Sequence, residues 1–226
     1  MTPTKYRLTL FLLLAIIVVT TYVSLHIGTI SIPWSAVLVG FDAETLDVAP
    51  ATADTFRTVV NQIRLPRVLT ALLCGAALAT SGAAYQSMFM NPLVSPALLG
   101  VLAGAAFGAS LGMLISNNIL VAQFFAFGFG IAAVATAVML ARFFPGNRLI
   151  MLIMGGVISS SLFTSLLSVI KFVADTQNEL PAIVYWLMGG FSAVSSSAAA
   201  MVLPFVGIGI VLIIAMSGYL NVLSMG

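Results

Sequence analysis

The sequence predicts an all-α polytopic membrane protein, and three observations predict it. Charged residues make up 6% of the chain and hydrophobic residues 61%, whereas about a quarter of the residues of a soluble domain are charged. The mean hydropathy is +1.18. Apolar stretches without a single charge recur along the 226 residues. A water-soluble fold would lack the charges to cover its surface, so lipid is the expected solvent. In lipid, helices satisfy their own backbone and so can span.

Six stretches are long enough to cross: Leu8–Leu25, Val68–Met90, Leu93–Ser116, Ile119–Ala141, Leu149–Ile170 and Ala198–Met216. About 20 helical residues cover a hydrocarbon core of about 30 Å. Lys5 and Arg7 give the first stretch the look of a signal peptide. It leads, however, into Ser24-Leu25-His26, a poor cleavage site, and is read as a retained first span. Thr29–Gln62 is polar, holds Asp42, Glu44, Asp47 and Asp54, and is expected outside the membrane. Met90-Asn91-Pro92-Leu93 is a tight break, because proline disfavours helix in the residue before it. Phe144-Pro145-Gly146-Asn147 is a turn between Arg142 and Arg148. Ala182–Val194 has 13 residues. At 1.5 Å per residue it reaches roughly 20 Å, too short to cross, and is read as a half-helix. No low-complexity linker interrupts the chain, which is read as a single transmembrane domain over residues 1–226.

Several functions are excluded or disfavoured. A net charge of +2 without a basic cluster gives no reason to expect nucleic acid. Cys74 is alone, so no intrachain disulfide forms, and His26 has no metal-ligand partner at suitable spacing. No acid lies in any span, whereas ion-coupled carriers commonly place ionisable groups there. No His/Asp/Glu constellation suits an intramembrane enzyme. Neither lysine follows a glycine, so the chain has no phosphate loop. Uphill transport would therefore draw its energy from another subunit. Charge leaves orientation undecided. With both ends inside, Lys5, Arg7, Arg142 and Arg148 oppose Arg57, Arg64, Arg67 and Lys171 across the membrane.

Small and polar residues form recognisable faces. Gly100, Gly104, Gly108 and Gly112 follow one another at four-residue spacing, a smooth face for helix packing. The second span repeats the device with Ala71, Gly75, Ala79 and Ala83. The fifth carries Gly156, Ser160, Thr164 and Ser168 on one stripe, with Ser161 and Ser165 beside it. Such a stripe either bonds to neighbouring helices or walls a translocation path. Gln86, Ser87 and Asn91 cap the end of the second span or face that path. Arg64 and Arg67 either anchor the second span at the interface or dock an acidic partner.

The run Arg64-Leu-Pro-Arg67, Gly75-Ala-Ala-Leu-Ala, Ser81-Gly82, Gln86, Asn91-Pro92-Leu93, Pro96 and Leu99-Gly100 resembles the FecCD-type permeases. So do Trp186-Leu-Met-Gly-Gly190 and Leu220-Asn-Val-Leu-Ser-Met-Gly226. These permeases import iron–siderophore, haem, vitamin B12 and some oxyanions. The resemblance implies a type II ABC importer transmembrane domain in the bacterial inner membrane, its amino terminus cytoplasmic. About six of the family's ten helices would be present, with the second repeat and the ATPase-coupling segment beyond Gly226. It implies a homodimer, two cytoplasmic ATPases carrying ATP and Mg, no cofactor in this chain, and an extracellular or periplasmic binding protein. On that reading Arg64 and Arg67 dock the binding protein, and Ser160, Thr164, Ser168 and Gln86 lie along the pathway. Gly75, Gly82, Gly100, Gly104, Gly108 and Gly112 pack helices. The region around Arg148–Met151, where the family places its inner gate, does not align cleanly, so no gate residue is named. An iron chelate is the expected substrate on family frequency. A non-transporting fragment and a secondary carrier or channel are the alternatives.

Overall fold

The structure is a computed structural model and describes residues 3–39, 43–192 and 194–219. Every regular element among them is helical. The signature Leu220–Gly226 and Asp42 lie outside the described residues. Among the described residues, five helices of 20 or more residues are apolar enough to cross a membrane. The chain divides into two compact units, residues 1–77 with 191–209, and residues 78–190 with 210–226.

The first unit begins with α1 (Pro3–His26), followed by the single-turn helices α2 (Ala36–Val39) and α3 (Ala43–Leu46). Next come α4 (Pro50–Thr58), a π-helical turn (Val59–Arg64) and the first half of α5 (Leu65–Phe89). Proline at the start of α4 has no N–H to lose there and begins the helix without cost. From Pro50 the helix runs without interruption to Phe89, 40 residues. The sequence placed residues up to Gln62 in an extramembrane segment and began the span at Val68. Polarity marks where a chain leaves lipid; a backbone can be helical on both sides of that point. Leu25, Ile32, Ala36, Phe56 and Val60 form this unit's core.

In the second unit α5 ends in a Schellman-type closure. Asn91 N–H donates to the Gln86 carbonyl (3.2 Å) and Met90 N–H to the Ser87 carbonyl (3.3 Å). Met90 takes the left-handed position usually given to glycine, with φ of 47°. A short 3₁₀ turn (Pro96–Leu99) precedes α6 (Val101–Ile115). The expected span Leu93–Ser116 is therefore not one helix. Pro92 and Pro96 break its first part, and Gly100, at φ of 81°, separates the 3₁₀ turn from α6. The remaining 15 residues of α6 are roughly 22 Å long. Hydropathy counts side chains and is blind to such backbone breaks.

The antiparallel helices α7 (Ile119–Phe143) and α8 (Arg148–Val173) are joined by the anticipated Phe144–Asn147 turn. Asn118 caps α7 by accepting from Leu120 N–H, and Asn147 caps α8 by accepting from Leu149 and Ile150 N–H. Where a half-helix was expected over Ala182–Val194, α9 (Glu179–Met188) starts three residues earlier and ends six earlier, where Gly189 takes φ of 72°. Asp175 starts the turn into it, which explains the offset: its side chain accepts from Asn178, and Glu179 accepts from Asp175 N–H. The last helix, α10 (Ser196–Ala215), matches the expected sixth span closely.

The packing of α6 on α7 is the most extensive in this unit. A Cβ on Gly104 would lie 2.6 Å from Ala133 Cβ, on Gly108 2.7 Å from the Phe125 carbonyl carbon, and on Gly112 2.7 Å from Ala122 Cα. No other residue admits that approach. Beside it, Phe107 meets Phe129 edge-on at 4.9 Å between ring centres, and Phe163 of α8 at 5.8 Å. Such aromatic pairs contribute about 0.5–1.5 kcal/mol each beyond the area they bury.

Candidate functional site

Arg64 is built into the first unit. It is 9% exposed. Its Nη1 donates to the carbonyls of Leu25 (2.7 Å) and His26 (2.8 Å), and Nη2 donates to the Ile30 carbonyl. Leu25 and His26 end α1, so the guanidinium caps the negative end of that helix. Gly28 permits the contact, because a Cβ there would stand 2.7 Å from Arg64 Nη2.

His26 completes the arrangement. Its Nδ1 lies 2.8 Å from the Tyr22 carbonyl and its Nε2 3.2 Å from the Trp34 carbonyl. Its ring stacks on Trp34 at 4.6 Å, and Tyr22 Oη donates to the Trp34 carbonyl at 2.6 Å. The segment after α1 is thus folded back over the helix end. The sequence offered no signal for this: His26 has no periodic partner, and Arg64 is 38 residues away.

Arg67 differs from Arg64, although the sequence read the two as a pair. It is half-buried; Nη2 donates to the Ser192 carbonyl at 2.5 Å, and its buried Nε has no hydrogen-bond partner among the described residues. Both arginines line a cavity of about 400 Å³ with Ser24 and Thr29. Arg64 is committed to the fold, whereas Arg67 makes one bond through Nη2 and keeps a buried Nε unpaired among the described residues.

In the second unit the hydroxyl-rich helix α8 shows two faces. Ser159 is fully buried and donates to the Ala133 carbonyl of α7 at 2.8 Å. The sequence gives it no mark of its own, because in Ser159-Ser160-Ser161 only the helical phase tells the residues apart. Gly156, counted in the polar stripe, is buried instead, its Cβ position against the Leu98 and Leu99 backbone. Gly100 faces Ser159 and Ser160, whose hydroxyls would stand 3.2 Å from a Cβ there, so it packs on α8 and stands apart from the α6–α7 glycines. Ser160 is half-buried, and Thr164 and Ser168 are exposed. Ser168 Oγ donates to the Thr164 carbonyl at 3.1 Å. Gln86 is exposed in the last turn of α5. Gly75 and Gly82 have no atom within 4 Å of a built Cβ, so their face is open among the described residues.

A helical, many-span chain with close glycine packing and exposed hydroxyls along one helix has the build of a membrane transport subunit. The chain belongs to the FecCD transport family, whose family model matches residues 15–226. It is 40% identical over 197 residues to the molybdate import system permease protein MolB of Haemophilus influenzae, covering 85% of this chain and 56% of that one. It is 35% identical over 170 residues to a probable iron chelatin transport system permease protein of Helicobacter pylori, covering 74% of this chain and 50% of that one. A solved chain described as an inward-facing conformation of a metal-chelate type ABC transporter superposes with a TM-score of 0.81 at 34% identity. That match covers 98% of this chain and 66% of the other. The chain spans about half the length of the curated relatives it matches.

Proposed function

We propose that this chain forms the membrane-spanning permease portion of a binding-protein-dependent ABC importer in the bacterial inner membrane. Its substrate class is a metal chelate or a molybdate-type oxyanion, the chemistries for which its relatives are named. It acts as a dimer with two cytoplasmic ATPases that hold ATP and Mg, and with an external binding protein. The amino terminus is cytoplasmic, and the arginine end of α5 faces out. Arg67 offers its guanidinium to an acidic group of the binding protein, while Arg64 shapes the surface around it. The exposed hydroxyls of α8 support the reading most directly. Thr164 and Ser168 would be poorly placed against lipid. Facing a path, neutral hydroxyls exchange hydrogen bonds with an oxygen-rich substrate without trapping its charge.

The test is uptake of radiolabelled molybdate and of a ferric siderophore in cells carrying the chain with its ATPase and binding protein. Thr164→Trp and Ser168→Trp are expected to abolish ATP-dependent uptake of whichever substrate is carried, and Ser161→Ala to leave it intact. Uptake that persists without the ATPase would make the protein a secondary carrier or channel. Uptake unaffected by both tryptophans would remove α8 from the pathway.

A further inference from the structure

Two cavities of the second unit meet at a single arginine. The first, about 830 Å³, runs along α6 and α7, and its lining is apolar from Val101 and Ala126 to Met139. Arg142 is the one charged residue in it. The second, about 840 Å³, lies at the α7–α8 turn between the end of α5 and the start of α8, where Asn147 and Gly146 join Met88, Leu149 and Leu152. Val138 and Arg142 line both cavities.

Arg142 is exposed in the last turn of α7. The acids of this unit, Asp175 and Glu179, both serve the turn at the opposite end of α8. The apolar cavity is an open groove in which small side chains, Ala105, Ala126, Gly130 and Ala135, lie among larger ones such as Phe127 and Met139. From Ala126 to Arg142 it follows α7 for roughly 24 Å, more than the about 15 Å of hydrocarbon in one leaflet.

A hydrocarbon groove that ends on a cation, with a more polar cavity just beyond, matches one kind of molecule in its parts and in their order. We propose that this face binds an anionic phospholipid: one acyl chain along the α6–α7 groove, the phosphodiester on Arg142, and the headgroup in the cavity at the α7–α8 turn. An arginine that merely snorkels to the interface would need neither cavity. A second helix seated in the groove would have to bring its own acid to Arg142, because the acids of this unit lie at the other end of α8 and an unpaired guanidinium is unfavourable in a low-dielectric setting.

Native mass spectrometry of the detergent-purified chain, titrated with lipids, tests this. Phosphatidylglycerol is expected to be retained at lower concentration than phosphatidylcholine, whose headgroup amine offsets the phosphate charge. Glycerol phosphate, the headgroup without chains, is expected not to compete. Arg142→Gln should lose the preference for phosphatidylglycerol, and Arg142→Lys should keep most of it. Ala135→Phe, on an exposed part of the groove, should reduce retention of phosphatidylglycerol while leaving the melting temperature unchanged. Equal retention of the two lipids by the unaltered chain would overturn the proposal. Efficient competition by glycerol phosphate would reduce it to a plain anion site. A chain that is dimeric, and becomes monomeric with Ala135→Phe, would show the groove to be an interface between copies.

Discussion

Arg64 Nη1 donates to the Leu25 carbonyl at 2.7 Å, across 39 residues of sequence. One side chain at the start of α5 thereby closes the end of α1 and holds the segment that follows it. Leu25 and His26 would otherwise leave terminal carbonyls unpaired at a buried helix end. The bonds to a charged donor are the stronger kind.

Arg64→Gln is therefore expected to destabilise the first unit by about 2–4 kcal/mol, the range for losing buried hydrogen bonds to a charged group. Arg64→Lys should recover only part, because an ammonium lacks the planar fork that reaches several carbonyls at once. Trp34 stacks on His26, so its fluorescence in a Trp186→Phe background reports the loss directly. Arg67→Gln should leave that signal intact while weakening binding-protein docking, more at low salt than at high. Unchanged Trp34 emission in Arg64→Gln would show that the guanidinium does not hold the segment.

The glycines of α6 should divide into two classes from the α5 glycines. Gly108→Ala places a methyl on the Phe125 backbone, and such overpacking typically costs about 1–3 kcal/mol. Gly104→Ala and Gly112→Ala should follow it. Gly75→Ala and Gly82→Ala have open space at the Cβ and should leave the melting temperature of the isolated chain unchanged or slightly raised. If Gly108→Ala melts like the parent, α6 and α7 do not approach as closely as described.

Asp175 controls the α8–α9 turn through pH. Hydrogen bonds from the Asn178 side chain and then from Gln177 N–H hold its carboxyl below the usual carboxylate range. A depressed pKa means the stabilisation is complete above the unfolded-state value, about 3.9, and is lost as pH falls through the folded value. Hydrogen exchange of residues 176–180 should accelerate only under strongly acidic conditions. Asp175→Ala should show the faster exchange already at neutral pH. Identical exchange in parent and variant at pH 7 would detach the turn from this carboxylate.

The sequence alone determined what depends on summed composition and on local chemistry. Scarce charge and recurring apolar runs settled the all-α membrane class, and the Met90–Leu93 break and the Phe144–Asn147 turn marked helix ends through local backbone chemistry. The ordered motifs from Arg64 to Gly100 pointed to the family. Tertiary structure alone decided which member of a repeated set does what. Ser159 is buried and Ser168 open because α8 turns one side toward α7, a phase that three consecutive serines do not reveal. Gly100 left the glycine face because two prolines before it broke the helix. Arg64 became a clamp and Arg67 a half-free donor because the end of α1 folds back onto only one of them. Such choices depend on contacts between residues tens of positions apart, and no local pattern carries that information.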